Sequence, residues 1–160
     1  MTSIKYRSLF IGILIFCLLA LFFAYFVEYI LKHIPCNLCL IERIPYMATI
    51  ILAFSVLILN KYEKIALIIM GLFFIIGAII SFYHFGIEQG FFTESLVCNL
   101  GESNGIMSTK DLLQELNTKI ISCKDVAFRV FGFSLATFNT IISLIISVII
   151  LHIGFNYDKN

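Results

Sequence analysis

"HIPCNLCLIERIPYMATIILAFSVLIL" occupies residues 33–59. How this stretch is read decides whether the chain crosses a membrane three times or four. Its uninterrupted apolar part, Ile44–Leu59, has 16 residues, whereas a bilayer's hydrocarbon core takes roughly 20 helical residues. Extended back to Leu38, the run reaches 22 residues. A span here therefore requires its helix to begin beside Cys36 and Cys39, with Glu42 and Arg43 in its opening turns.

Three other runs are long enough without extension. Leu9–Val27 has 19 residues, Ile65–Tyr83 has 19, and Val130–Gly154 has 25, none carrying a formal charge. Of 160 residues, 61% are apolar and 13% charged, a balance suited to lipid rather than water as the solvent. Short alternating strands, which a closed barrel needs, are absent from the pattern. The expected fold is an all-α membrane protein: a four-transmembrane-helix bundle in one domain (1–160), with helices over about 8–31, 39–59, 65–83 and 130–153. Loops are expected over 32–38 and 84–129. The first run is read as a retained helix, because its apolar core is longer than a signal peptide's and no small-residue cleavage site precedes Glu28. The net charge of +1 gives no basic field for nucleic acid.

Four spans put both termini on one side, with Lys5, Arg7, Lys61, Lys64 and Lys159. The opposite side then holds Lys32, Arg43, Lys110, Lys119, Lys124 and Arg129. A plain count does not orient the chain. Weighting the short segments and the first helix places the termini in the cytoplasm. Cys36, Cys39, Cys98 and Cys123 all fall on the far side, which suits an oxidising periplasm. Cys17, in the middle of the first helix, reads as a small buried hydrophobe.

Within the long loop, "MSTKDLLQELNTKII" (107–121) reads as a short interfacial helix. Ser108 and Asp111 form a capping-box variant, Met107 and Leu112 have staple spacing, and Leu112, Leu113, Leu116 and Ile120 share a face. "NLGESNG" before it reads as a loop.

The thiol chemistry follows from position. Cys36 and Cys39 are close enough to form a small disulfide. At a helix start the second cysteine would sit near unsatisfied backbone N–H groups and the positive dipole end, which favour thiolate. Arg43, four residues after Cys39, would share its face, with Glu42 orienting it. Pro45 either kinks a helix under way or starts a new one. Cys98 and Cys123, with 24 residues between them, have poor spacing for metal ligands and good spacing for a loop-closing disulfide. The competing reading is a membrane scaffold stabilised by zinc on four cysteines, without redox turnover. Two dithiol pairs, one anchored at the lipid boundary and one in a mobile loop, make a relay by thiol–disulfide exchange, for which a lipid-soluble quinone is a natural acceptor.

"PCNLCLIER" (35–43), "YHFGIEQGFF" (83–92), "LVCNL" (96–100) and "SCKDVAFRVFGFSLATFN" (122–139) occur in an order that resembles the bacterial disulfide bond formation protein B (DsbB) family. The pattern C-x-L-C-x-x-E-R at the second helix is the specific part. Gly132–Asn139 resembles the form of the family with H-x-G-x-E after helix three. The resemblance implies an inner-membrane oxidoreductase with four catalytic cysteines. Cys36 and Cys39 would form the quinone-proximal disulfide, with Cys39 facing the quinone ring. Cys98 would form a mixed disulfide with a periplasmic thioredoxin-like protein of the DsbA type, and Cys123 would pair with Cys98. Electrons would pass from that partner through both pairs to ubiquinone or menaquinone in the membrane pool. Arg43 and His84 would lie at the quinone site, and no metal is implied. A relative that oxidises one dedicated substrate is the alternative within the family. Asn139 is expected to make an interhelical hydrogen bond, Glu28 to reach the interface or pair with Lys32, and Gly77 and Ser81 to permit close helix packing.

Overall fold

The computed structural model describes residues 2–59, 61–93, 98, 123–124, 129–130 and 133–157. Helix α1 (Thr2–Tyr25) continues as one π-helical turn (Phe26–Ile30), followed by α2 (Asn37–Ile41), α3 (Ile44–Leu59) and α4 (Glu63–Glu88). Two-residue strands β1 (Arg129–Val130) and β2 (Phe133–Ser134) pair antiparallel, with Arg129 opposite Ser134, and lead into α5 (Leu135–Phe155). The helices provide four segments long and apolar enough to cross a membrane: Tyr6–Ile30, Asn37–Leu59, Glu63–Glu88 and Leu135–Phe155. The fold is the expected all-α four-helix membrane bundle.

Side-chain distribution follows the solvent. Leu19, Phe22, Ile51, Phe54, Ile79, Ile145 and Val148 face outward as an apolar belt, the arrangement lipid contact requires. Small and weakly polar residues turn inward: Ala53, Ala66, Ala78, Ser81, Ser143 and Ser147 are all buried. Such residues let helix backbones approach where no hydrophobic effect drives association. Gly71 shows this, since a methyl group there would collide with Leu151. The closest pairing is α4 with α5; α3 packs on both α1 and α4. Phe10, Cys17, Tyr46, Leu67, Met70, Phe74 and Ile150 form the central apolar core. Cys17 is fully buried, as expected of a structural thiol.

Several boundaries differ from the sequence reading, each for a local reason. The second span begins at Asn37 and is divided: α2 ends at Ile41, and α3 starts afresh at Ile44 with Pro45 in its first turn. Proline has no N–H to bond back to Ile41, so it opens α3 rather than kinking a continuous helix. The third helix runs to Glu88, five residues past the expected Tyr83, because polar His84 and Glu88 point into the protein. The fourth helix begins at Leu135 rather than 130, capped by the Ser134 hydroxyl, which accepts the Thr137 N–H at 3.3 Å. The expected helix over 107–121 and the loop before it lie outside the described residues.

Candidate active site

The chain leaves α1 at Lys32, whose left-handed φ of 54° ends the helix. A short extended link through Pro35 then delivers Cys36 to the N-cap of α2. Its sulfur accepts the Cys39 N–H at 3.3 Å and lies 2.8 Å from the Cys39 sulfur. Thus the first cysteine, not the second, takes up the unsatisfied N–H group at the helix start. Cys36 is only 5% exposed. Its pKa is lowered from 9.0 to about 5, chiefly by the hydrogen bond from the Cys39 thiol and then by the hydrogen bond and positive field of His84, against the opposing effect of burial.

His84 comes from the far end of α4. Its Nε2 lies 3.5 Å from the Cys36 sulfur, and its Nδ1 lies 2.7 Å from Glu42 Oε1. The bond to a carboxylate places the proton on Nδ1 and turns Nε2 to the thiol. Glu42 is itself buried and held from the other side: its Oε2 accepts from Asn139 Nδ2 at 2.8 Å. Asn139 also donates to Ser81 Oγ at 2.6 Å and accepts from the Tyr46 hydroxyl at 2.5 Å. The interhelical role expected of Asn139 is therefore met, and it ties α5 to α3 and α4. A buried carboxylate is tolerable because each oxygen has a donor. One helical turn beyond His84, Glu88 brings Oε1 to 3.7 Å from Nε2, while its buried Oε2 has no hydrogen-bond partner among the described residues.

Arg43 is held by a residue that the sequence reading assigned elsewhere. Its Nη1 donates to Glu28 Oε2 at 2.6 Å, and its guanidinium sits 4.8 Å from the centre of the Tyr25 ring. Glu28 therefore does not pair with Lys32, and Glu42 does not orient Arg43. The π-helical turn and the left-handed Lys32 break the i,i+4 register that would have joined Glu28 to Lys32.

These side chains share a cavity of about 610 Å³ between α1 and α5. Cys36, Cys39, Arg43, His84 and Glu88 supply its polar wall; Leu19, Phe23, Val27, Ala136 and Ile142 supply much of the apolar remainder. An apolar slot with a few convergent polar groups suits a flat, lipid-soluble ring bearing carbonyl oxygens.

Cys98 and Cys123 form a disulfide, with Cα atoms 5.7 Å apart. Each is 1% exposed, and both pack with Cys36, Leu38 and Ile87 in one apolar cluster. Both cysteines come from the long loop expected over 84–129. Their disulfide removes two ligands from the four-cysteine zinc scaffold, because disulfide sulfurs do not serve as thiolate ligands. Of the six expected site residues, Cys36, Cys39, Arg43 and His84 line the cavity, and Cys98 and Cys123 adjoin Cys36 on another flank. Glu28, Glu42, Glu88 and Asn139 extend the site. For Glu88 a signal existed: His84 and Glu88, four apart, share one helix face.

A family model described as "Disulfide bond formation protein DsbB" matches residues 6–153. The chain is also 28% identical over 144 residues to an uncharacterised protein of Rickettsia prowazekii (strain Madrid E), RP370, covering 88% of this chain and 83% of that protein. No solved structure matches it.

Proposed function

The chain belongs to the disulfide bond formation protein DsbB family, and on that premise we propose that it is a quinone-dependent thiol:disulfide oxidoreductase of the bacterial inner membrane. Residues 1–160 act as one membrane domain with cytoplasmic termini and periplasmic cysteines. It reoxidises a thioredoxin-like, DsbA-type protein in the periplasm. The observation that carries this reading is the shared cluster of Cys36 with the Cys98–Cys123 disulfide, beside an apolar cavity walled by Arg43 and His84.

The exchange balances at each step. A thiolate of the reduced partner attacks Cys98, breaking the Cys98–Cys123 bond and forming a mixed disulfide. The partner's second thiol resolves it, leaving the partner oxidised and Cys98 and Cys123 as thiols. That dithiol then reduces the Cys36–Cys39 disulfide through Cys36, the sulfur packed in the cluster. Ubiquinone or menaquinone accepts the two electrons and two protons released when the Cys36 and Cys39 thiols rejoin. Cys39 borders the cavity, where it can meet the acceptor. Arg43 supplies positive charge beside a carbonyl oxygen, fixed there by Glu28. His84 stabilises the Cys36 thiolate, and its tie to Glu42 holds the ring in place.

Quinone reduction by the purified protein, driven by a reduced DsbA-type protein, tests this. Cys36→Ala and Cys39→Ala should each abolish turnover; unchanged turnover in both removes the proposal. Cys98→Ala should stop oxidation of the partner yet leave a chemically reduced Cys36/Cys39 pair able to reduce quinone in a single turnover.

A further inference from the structure

We propose that the reduced Cys36/Cys39 pair and His84 form a site for a divalent metal ion of the zinc and cobalt class, and that occupation locks the pair in its dithiol state. The Cys36 and Cys39 sulfurs and a His84 ring nitrogen lie within 4.8 Å of one another. Tetrahedral zinc, with Zn–S of about 2.3 Å and Zn–N of about 2.0 Å, places such donors about 3.5–3.8 Å apart. The 3.5 Å between Cys36 Sγ and His84 Nε2 already meets this. The sulfurs, 2.8 Å apart, need to part by about 1 Å, within reach of a small side-chain rotation.

Two further features point to a ligand. His84 donates its other nitrogen to Glu42 at 2.7 Å, the carboxylate–histidine pairing that fixes the tautomer and raises the basicity of a metal-bound imidazole. Glu88, whose side chain is 5% exposed, borders the same cavity with an Oε2 that has no partner among the described residues. It lies outside the three-residue donor cluster, but with Oε1 3.7 Å from His84 Nε2 it is placed to accept from a metal-bound water. Two thiolates and an imidazole, with water in the fourth position, are a donor set that zinc favours.

Binding of the ion displaces to solvent the protons its ligands still carry, that of the Cys39 thiol among them, and changes no oxidation state. The Cys36–Cys39 disulfide offers no thiolate, so the site exists only in the reduced protein. Metal thereby opposes the oxidation of this pair by mass action. At free metal about 100 times the dissociation constant, about 1% of the dithiol stays free and its oxidation slows about 100-fold. This consequence rests on the proposed turnover; the site itself does not.

The test uses the full chain in detergent as Cys98→Ala/Cys123→Ala, so that cobalt(II) meets only one dithiol pair. The reduced protein should bind one cobalt with thiolate-to-metal charge-transfer absorption, displaced by zinc. The same protein oxidised to the Cys36–Cys39 disulfide should give no such absorption, a control that needs no further substitution. His84→Ala should weaken binding at least about tenfold. Equal binding to the oxidised protein, no thiolate absorption in the reduced protein, or undiminished affinity in His84→Ala each overturns the site. None of these readouts requires quinone turnover, so failure here and failure of the oxidoreductase reading are told apart.

Discussion

Glu28 and Arg43, fifteen positions apart in the sequence, are joined by a 2.6 Å charge-assisted hydrogen bond at the wall of the cavity. Both side chains are largely buried, at 11% and 19% exposure for Arg43 and Glu28. Glu28→Gln keeps the shape and removes the charge. A hydrogen bond to a charged group contributes about 1.5–3 kcal/mol, so kcat/KM for a short-chain quinone should fall about 10- to 100-fold, with KM taking most of the change. Steady-state kinetics with a fixed reduced partner measure it. An unaltered KM would show that the ion pair does not position Arg43 for the acceptor.

The Cys36 thiol ionises above a pKa of about 5, against 9.0 for an ordinary thiol. In the reduced protein its thiolate should therefore persist across neutral pH, and its alkylation rate should be flat between about pH 6 and 8. Below the midpoint the rate should fall as the thiolate takes up a proton. Removing either stabilising neighbour, in Cys39→Ala or in His84→Ala, should raise the midpoint. Alkylation followed by mass spectrometry reads both shifts.

Asn139 joins Glu42 and Ser81 through its amide nitrogen and Tyr46 through its amide oxygen. Asn139→Leu breaks all three of these buried hydrogen bonds. A loss of about 1–3 kcal/mol in stability should follow, read by reversible unfolding in mixed micelles. Ser81→Ala, which removes only one arm of the network, should cost less. Equal costs would mean that the Glu42 and Tyr46 bonds add nothing.

A methyl group on Gly86 would collide with the Phe92 ring, which folds back over the end of α4 and stacks on Tyr83 at 5.6 Å. Gly86→Ala should lower the melting temperature. Phe92→Ala introduced with it should recover part of the loss, because the collision goes with the ring. Such non-additivity is expected of residues in contact. Additive losses would place the cost elsewhere.

The number of spans was legible because runs such as Leu9–Val27 and Ile65–Tyr83 are long enough to cross lipid, and because the short Ile44–Leu59 run had to reach back to the thiols. The helix ends were less so. Hydropathy stops at Tyr83, but His84 and Glu88 continue inward because Glu42 accepts from one of them. Motif spacing brought out the four cysteines and Arg43 as candidates, and the family resemblance added His84. Polar partners were another matter. Linear distance offers Glu28 to Lys32 and Glu42 to Arg43, but a π-helical turn, a left-handed Lys32 and Pro45 each reset the helical register around those residues. The partners then come from other helices, and no local pattern encodes them. Burial of Cys98 and Cys123 likewise has no signature in the loop sequence around them.

Neither Cys98 nor Cys123 borders the cavity between α1 and α5, although both lie in one cluster with Cys36. On the proposed function, sulfur exchange and ring chemistry would therefore meet the Cys36/Cys39 pair from separate flanks. An oxidase arranged this way would not make its two reactants queue for the same entrance. Excess quinone should not compete with the soluble dithiol, and double-reciprocal plots should keep the parallel lines of a ping-pong scheme even when both reactants are abundant.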